Sequence, residues 1–130
     1  MIIQFIVPAI PIAQPRQRHR VIQQSGGRAF ATNYTPKNDP VNAFKAAVQL
    51  AASNAYRGPP IEGPVEMDVV FVMPRPKSMI WKKRDMPRVP HTGKPDRDNM
   101  LKSLQDALEG LLFRNDSQIY DGRATKWIAA

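Results

Sequence analysis

Asp96-Arg97-Asp98-Asn99-Met100-Leu101-Lys102-Ser103-Leu104-Gln105-Asp106-Ala107-Leu108-Glu109-Gly110 is the stretch that decides the fold. Leu101, Leu104, Leu108 and Leu111 recur at three- and four-residue spacing, which lines them up as the apolar stripe of an amphipathic helix. Asp96 or Asp98 opens that helix, where free amides favour negative charge. Gly110 stands where a left-handed residue ends one. The spacing therefore predicts a helix from Asp96 or Asp98 to Glu109. Beyond it, Gln118-Ile119-Tyr120 begins a short strand, and Lys126-Trp127-Ile128 continues it past a turn at Asp121-Gly122. Before it, Val65, Met67, Val69 and Phe71 alternate with Glu66, Asp68, Val70 and Val72, which predicts a strand over Val65–Met73. Pro74–Gly93, rich in Lys and Arg around Met79, Ile80 and Trp81, reads as a long loop.

The N-terminal half completes the pattern. Ile2–Val7 reads as a first strand, followed by an extended proline-rich stretch to Pro15 in which helix is disfavoured. Val21-Ile22 and Ala29-Phe30-Ala31 flank Gly26-Gly27, the signature of a β-hairpin. Asp39 followed by Pro40 marks a helix start. Phe44, Ala47, Val48, Ala51 and Ala55 supply its inner face, and Gly58 is expected to end it. The order of elements predicts an α+β fold, a single domain over residues 1–130 with two main helices packed on a mixed β-sheet.

Composition narrows the function. A chain of 130 residues with 42% hydrophobic content can bury a core, and with no cysteine it excludes disulfides and thiolate-bound zinc. No apolar run reaches the ~18 residues of a membrane span, and no export signal is evident, so no membrane association and a cytoplasmic setting are expected. Nineteen Lys and Arg against eleven Asp and Glu leave +8, which favours a polyanionic partner, nucleic acid first.

The acids are gathered rather than scattered. Asp96 and Asp98 lie at the helix entry, Lys102 follows Asp98 by four residues on the same helical side, and Asp106 follows Lys102 likewise. Asp116, at the mouth of the next strand, is expected to return to the same end as Asp96. Three carboxylates and an amine suit phosphodiester hydrolysis, because Mg²⁺ takes oxygen ligands and the lysine offsets charge on the phosphate. Spacing alone leaves a plainer reading open, since aspartates are common at helix starts and Asp98 with Lys102 is an ordinary surface pair.

Lys94-Pro95-Asp96-x-Asp98-Asn99-x-x-Lys102, then Asp106-Ala107-Leu108, then Asp116-Ser117-Gln118-Ile119, resembles the signature of the RusA family of crossover-junction endodeoxyribonucleases. The opening strand, proline-rich turn and basic residues are similar too, although only Lys94 to Ile119 is specific. The resemblance implies that Asp96, Asp98 and Asp116 bind Mg²⁺ or Mn²⁺ and that Lys102 is essential for cutting. It also implies a homodimer that cuts two opposed strands of a four-way (Holliday) junction. Two departures stand out: many members carry Asp-Asp where this chain has Asn115-Asp116, and members usually continue into another strand beyond the position of Ala130.

Around this centre, Arg16, Arg18, Arg20, Lys82, Lys83 and Arg84 are expected to bind the DNA backbone. Trp81 either stacks on an unpaired base or anchors its loop. Lys37 and Asn38 are further phosphate contacts. His19 among arginines suits a phosphate contact, and His91 lies near the aspartates without a ligand spacing. Two rival classes share these features: a branched-DNA-binding protein that does not cut, and a D-x-D metal-dependent phosphohydrolase, the latter disfavoured by the lack of a Gly-rich phosphate loop.

Overall fold

A computed structural model describes residues 1–15, 18–23, 29–34 and 38–130. Its elements run β1 (Arg18–Gln23), β2 (Ala29–Tyr34), α1 (Pro40–Ala55), β3 (Val65–Glu66), β4 (Val69–Met73), β5 (Val89–Pro90), α2 (Arg97–Leu108), β6 (Ile119–Asp121) and β7 (Ala124–Ile128). The architecture is α+β with parallel and antiparallel strands, as the sequence predicts.

Helix α1 starts as expected. The Asp39 carboxylate accepts the Val41 N–H at 2.9 Å, and Pro40 has no N–H to leave unpaired. Its buried face is Val41, Phe44, Val48 and Ala52, whereas Ala55 is exposed, so the inner stripe is rotated from the one predicted. The helix stops at Ala55 with Tyr56 as an extended cap, not at Gly58. Gly58 serves another purpose: a Cβ there would come within 2.6 Å of the Tyr56 hydroxyl, which donates to the Pro59 carbonyl at 2.6 Å.

Helix α2 buries Met100, Ser103, Leu104, Ala107 and Leu108, with Leu101 and Leu111 half-buried at the margin. These side chains join Phe44, Val48, Ala52, Phe71, Met73, Leu112 and Phe113 in one core. Gly110, at φ +82°, follows the cap residue Glu109, as the sequence predicts. Ser103 ties the N-terminal segment to this helix, its hydroxyl lying against the carbonyls of Ile12 and Met100.

Strand β7 pairs in parallel with β4, from Val69↔Ala124 to Met73↔Ile128, and antiparallel with β5 on its other edge. Strand β3 pairs in parallel with β6. The strand expected over Val65–Met73 is thus two strands. Between them Met67 donates to the Asp121 carbonyl at 3.0 Å, and the Asp68 carboxylate accepts the Arg123 N–H at 2.9 Å. The register of β3 on β6 has already shifted between Val65 and Glu66.

The first strand expected at Ile2–Val7 is not formed among the described residues. Ile3, Phe5 and Val7 pack on the core while Ile2 and Ile6 remain exposed, so the alternation is real. Alternation reports one buried face and does not supply a hydrogen-bonding neighbour. The hairpin is borne out, with β1 and β2 antiparallel from Arg18↔Tyr34 to Gln23↔Ala29; its Gly26-Gly27 turn lies outside the described residues. Among the described residues, no helix is long and apolar enough to cross a membrane.

Gly122 turns the chain at φ +140°, with the Met67 backbone directly over its Cα so that a Cβ would collide with it. Gly122→Ala is expected to destabilise the chain by about 2 kcal/mol or more, through backbone strain plus displacement of Met67. Urea unfolding followed by circular dichroism measures it, and an unchanged midpoint would show that the turn relaxes freely.

Candidate functional site

The two helices begin alike and use their first aspartate differently. Asp39 and Asp96 have nearly the same backbone conformation, φ −66° and ψ 135° against φ −67° and ψ 144°. Asp39 caps its helix through its side chain; Asp96 makes no side-chain capping bond. A helix start leaves amides unsatisfied, and a carboxylate placed there normally accepts from one of them. Asp96 is therefore held by its backbone while its carboxylate stays turned to solvent.

Asp96 shares a shallow depression with Lys94, Pro95 and Asn99. Asp98, exposed on the first turn, borders a neighbouring groove formed by Arg97, Leu101, Gln105 and the chain from Ile119 to Ala124. Arg97 approaches Asp98 at 3.9 Å with both side chains well exposed, a contact of little energetic weight. Lys102 pairs with Asp106 at 4.0 Å, one turn on, so the expected line of Asp98, Lys102 and Asp106 along the helix is formed, but its ion pair joins the last two.

Asp116 is elsewhere. Its backbone N–H donates to the Glu109 carboxylate at 3.2 Å, which fixes it at the C-terminal end of α2. From Asp98 to Glu109 the helix rises about 16 Å at ~1.5 Å per residue. Asp116 thus does not return to the Asp96 end within one chain, and the described residues hold no group of three His, Cys, Asp or Glu placed to share a metal ion. The reason is the direction of the return strand. The chain leaves α2 at its C-terminal end and runs back along it, reaching the helix start only at Ala124, whose carbonyl accepts from Arg97 at 3.2 Å.

The motif around Asp116 is built by its neighbours. The Asn115 side chain accepts the Ser117 N–H at 2.9 Å, and the Gln118 side-chain oxygen Oε1 accepts the backbone N–H groups of Arg114 and Asn115, each at 2.8 Å. The Gln118 amide donates to Ile61 and Gly63 at 2.7 and 2.8 Å, pinning the turn to the segment that leads into β3. Asn115 is thus a cap for the short 3₁₀ turn of Asp116–Gln118, a task asparagine performs as well as aspartate.

Trp81 is half-buried, with the guanidinium of Arg84 at 3.9 Å and that of Arg75 at 4.7 Å from its ring centre. Arg75 also donates to the carbonyls of Met79, Pro87 and Ala129, so it straps the 76–88 loop to the sheet. These contacts join Trp81 to arginines of its own loop, and it is not among the side chains packed on the core. Lys82, Lys83 and Arg84 remain exposed. Arg18, His19 and Arg20 lie on β1, and Asn38 precedes α1, exposed; Arg16 and Lys37 lie outside the described residues.

Lys126 was not among the expected site residues. Its ammonium donates to the carbonyls of Gly93 at 2.6 Å and Pro95 at 2.8 Å, immediately before Asp96. A signal for it exists in the sequence: Ala124, Lys126 and Ile128 share one face of a strand, so a charge stands in the inward phase. His91 lies beside it, its N–H donating to the Lys126 carbonyl at 3.0 Å. Burial, and then the Lys126 charge, lower the His91 pKa from the ordinary 6.5, which keeps the imidazole neutral at neutral pH.

The family model described as endodeoxyribonuclease RusA matches residues 8–130, and the chain belongs to that family. It is similar to a Bacillus subtilis (strain 168) protein described as uncharacterized protein YqaN, 34% identical over 132 residues that cover 96% of this chain and 87% of the relative. No solved structure matches.

The two helix starts give a direct stability comparison. Asp39→Ala is expected to cost about 1 kcal/mol, the value of a side-chain cap. Asp96→Ala is expected to cost less than half of that, because no capping bond is lost. Thermal unfolding of both variants measures it; an equal loss would mean that Asp96 is a structural cap.

Proposed function

We propose that this protein is a structure-specific endodeoxyribonuclease of the cytoplasm that cuts four-way DNA junctions as a homodimer, with Mg²⁺ or Mn²⁺ held by Asp96, Asp98 and Asp116. The observation that carries the reading is Asp96, a carboxylate at a helix start that makes no capping bond, beside a second carboxylate on a strongly basic chain. Solvent-facing carboxylates are the donors a hard divalent cation takes, one or two at a time with water and phosphate completing its shell. When bound, such a cation supplies an acidified water and neutralises charge on the phosphate. Lys102, well exposed in its pair with Asp106, is free to turn its ammonium to a phosphate oxygen as charge builds there. Arg16, Arg18, Arg20, Lys82, Lys83 and Arg84 supply sequence-independent affinity for the backbone.

The position of Asp116 makes the homodimer part of the chemistry. A two-fold axis close beside the middle of α2, setting two copies of the helix antiparallel, would bring Asp116 of the second copy toward Asp96 and Asp98 of the first. The same operation completes the other centre. Each centre then draws carboxylates from both ends of α2, which one chain holds about 16 Å apart.

Mixing two inactive variants tests this arrangement. Asp98→Asn and Asp116→Asn proteins are each expected to lose Mg²⁺-dependent cutting while keeping junction binding. Co-refolded together, they are expected to recover nicking of one strand, since one of the two centres in a mixed dimer has all its carboxylates. No recovery, with mixed dimers demonstrated, would place all ligands within one chain. A wild-type protein that binds junctions and never nicks them would point to the non-cutting DNA-binding class instead.

A further inference from the structure

On either side of Asp96, a side-chain hydrogen bond ties the chain to β7. Arg97, on its C-terminal side, donates to the carbonyl of Ala124, and Pro95, on its N-terminal side, accepts from the side chain of Lys126. Lys126 makes a second bond to Gly93, and its own carbonyl holds the His91 N–H, so the chain from His91 to Pro95 wraps around one residue. The register explains why an ammonium can be there. Lys126 lies opposite Phe71, on the face whose other members, Met73 and Ile128, are buried in the core. A charge turned inward at the edge of a core is costly unless its donors are satisfied. Two carbonyls take two of its three donors, and bonds from a charged donor are worth about twice neutral ones. The Gly93–Pro95 turn has no other bond of this kind among the described residues.

We propose that Lys126 is a positioning residue for the cutting reaction: it fixes the Gly93–Pro95 turn and so presets the Asp96 carboxylate for its cation. This rests on the nuclease reading above. Residues that orient metal ligands through a second contact change affinity by about 10–100-fold when lost.

The test uses the full-length dimer with Lys126→Met, which keeps the alkyl stem and removes the donors, and Lys126→Arg, which keeps charge and donors in a different fork. In Lys126→Met, ¹⁵N relaxation is expected to show the Gly93, Lys94 and Asp96 amides passing from rigid order parameters near about 0.85 to below about 0.6. The Mg²⁺ concentration for half-maximal cutting is expected to rise about tenfold, with metal-free junction binding unchanged. Lys126→Arg is expected to fall between wild type and Lys126→Met. If Lys126→Met does not fold, Lys126→Arg decides alone, and a wild-type metal dependence with a rigid turn overturns the proposal. The same result in a folded Lys126→Met overturns it too. A wild-type protein that neither cuts nor shows Mn²⁺ broadening at Asp96–Asn99 removes the nuclease reading, and this proposal with it. Normal wild-type cutting with unaltered variants removes this proposal only.

Discussion

Burial of one face of α2 fixes the rest. Met100, Ser103, Leu104, Ala107 and Leu108 must all point into the core with Phe44, Val48 and Phe71, and this sets the rotation of the helix about its axis. Once it is set, Asp98 and Lys102 have no choice but to face solvent, and Asp106 the margin. A shift of one residue would turn each by ~100° and put an aspartate into the hydrophobic interior, at a cost no surface pairing recovers. The hydroxyl of Ser103, with the N-terminal chain folded over it, lets a polar residue sit in the middle of that face without an unpaired group.

Polar side chains in this molecule divide into those that build turns and those left for other work. Gln118 answers two amides and two carbonyls with one side chain, and Asn115 caps the turn that carries Asp116. Arg75 and Lys126 do the same for the two loops that flank β5. Against this background the carboxylates of Asp96, Asp98 and Asp116 stay exposed, Asp98 with only the loose approach of Arg97 at 3.9 Å.

Much of this was legible in the residues themselves. The existence of α2, a start at Asp96 or Asp98, the glycine after its end and the hairpin of β1 and β2 follow from local periodicity and turn chemistry, whereas packing turned the buried face of α2 toward Met100, Ser103 and Ala107 and left Leu101 and Leu111 at its margin. What local patterns misjudged was long-range. Val65–Met73 alternates like one strand, but at its break Met67 lies over Gly122 and Asp68 accepts from Arg123, fifty-five residues further along the sequence and met only in the fold. Ile2–Val7 alternates equally well, and whether a strand finds a ladder depends on neighbours that alternation does not name. Gly58 looked like a helix end because glycine often is one; here it makes room for a tyrosine ring. For the site, the acidic motif could be picked out in the sequence, and the distance between its halves could not. Reading Asp116 back to Asp96 assumed a return that ends at the helix start, whereas the chain is still at the far end of α2 when it reaches Asp116.

That separation has a mechanical consequence on the proposed arrangement. A carboxylate pair alone holds a divalent cation weakly, with most of its shell left to water. If the third carboxylate arrives only with a second copy, metal affinity and subunit association are linked, and each strengthens the other by the same free energy. A lone chain on DNA would then be a poor nuclease, and a dimer would carry two centres related by its own axis. A four-way junction has matching two-fold symmetry, so the two cuts would fall on strands related by it. Linking assembly to the metal in this way disfavours the single nick that an unpaired chain would leave.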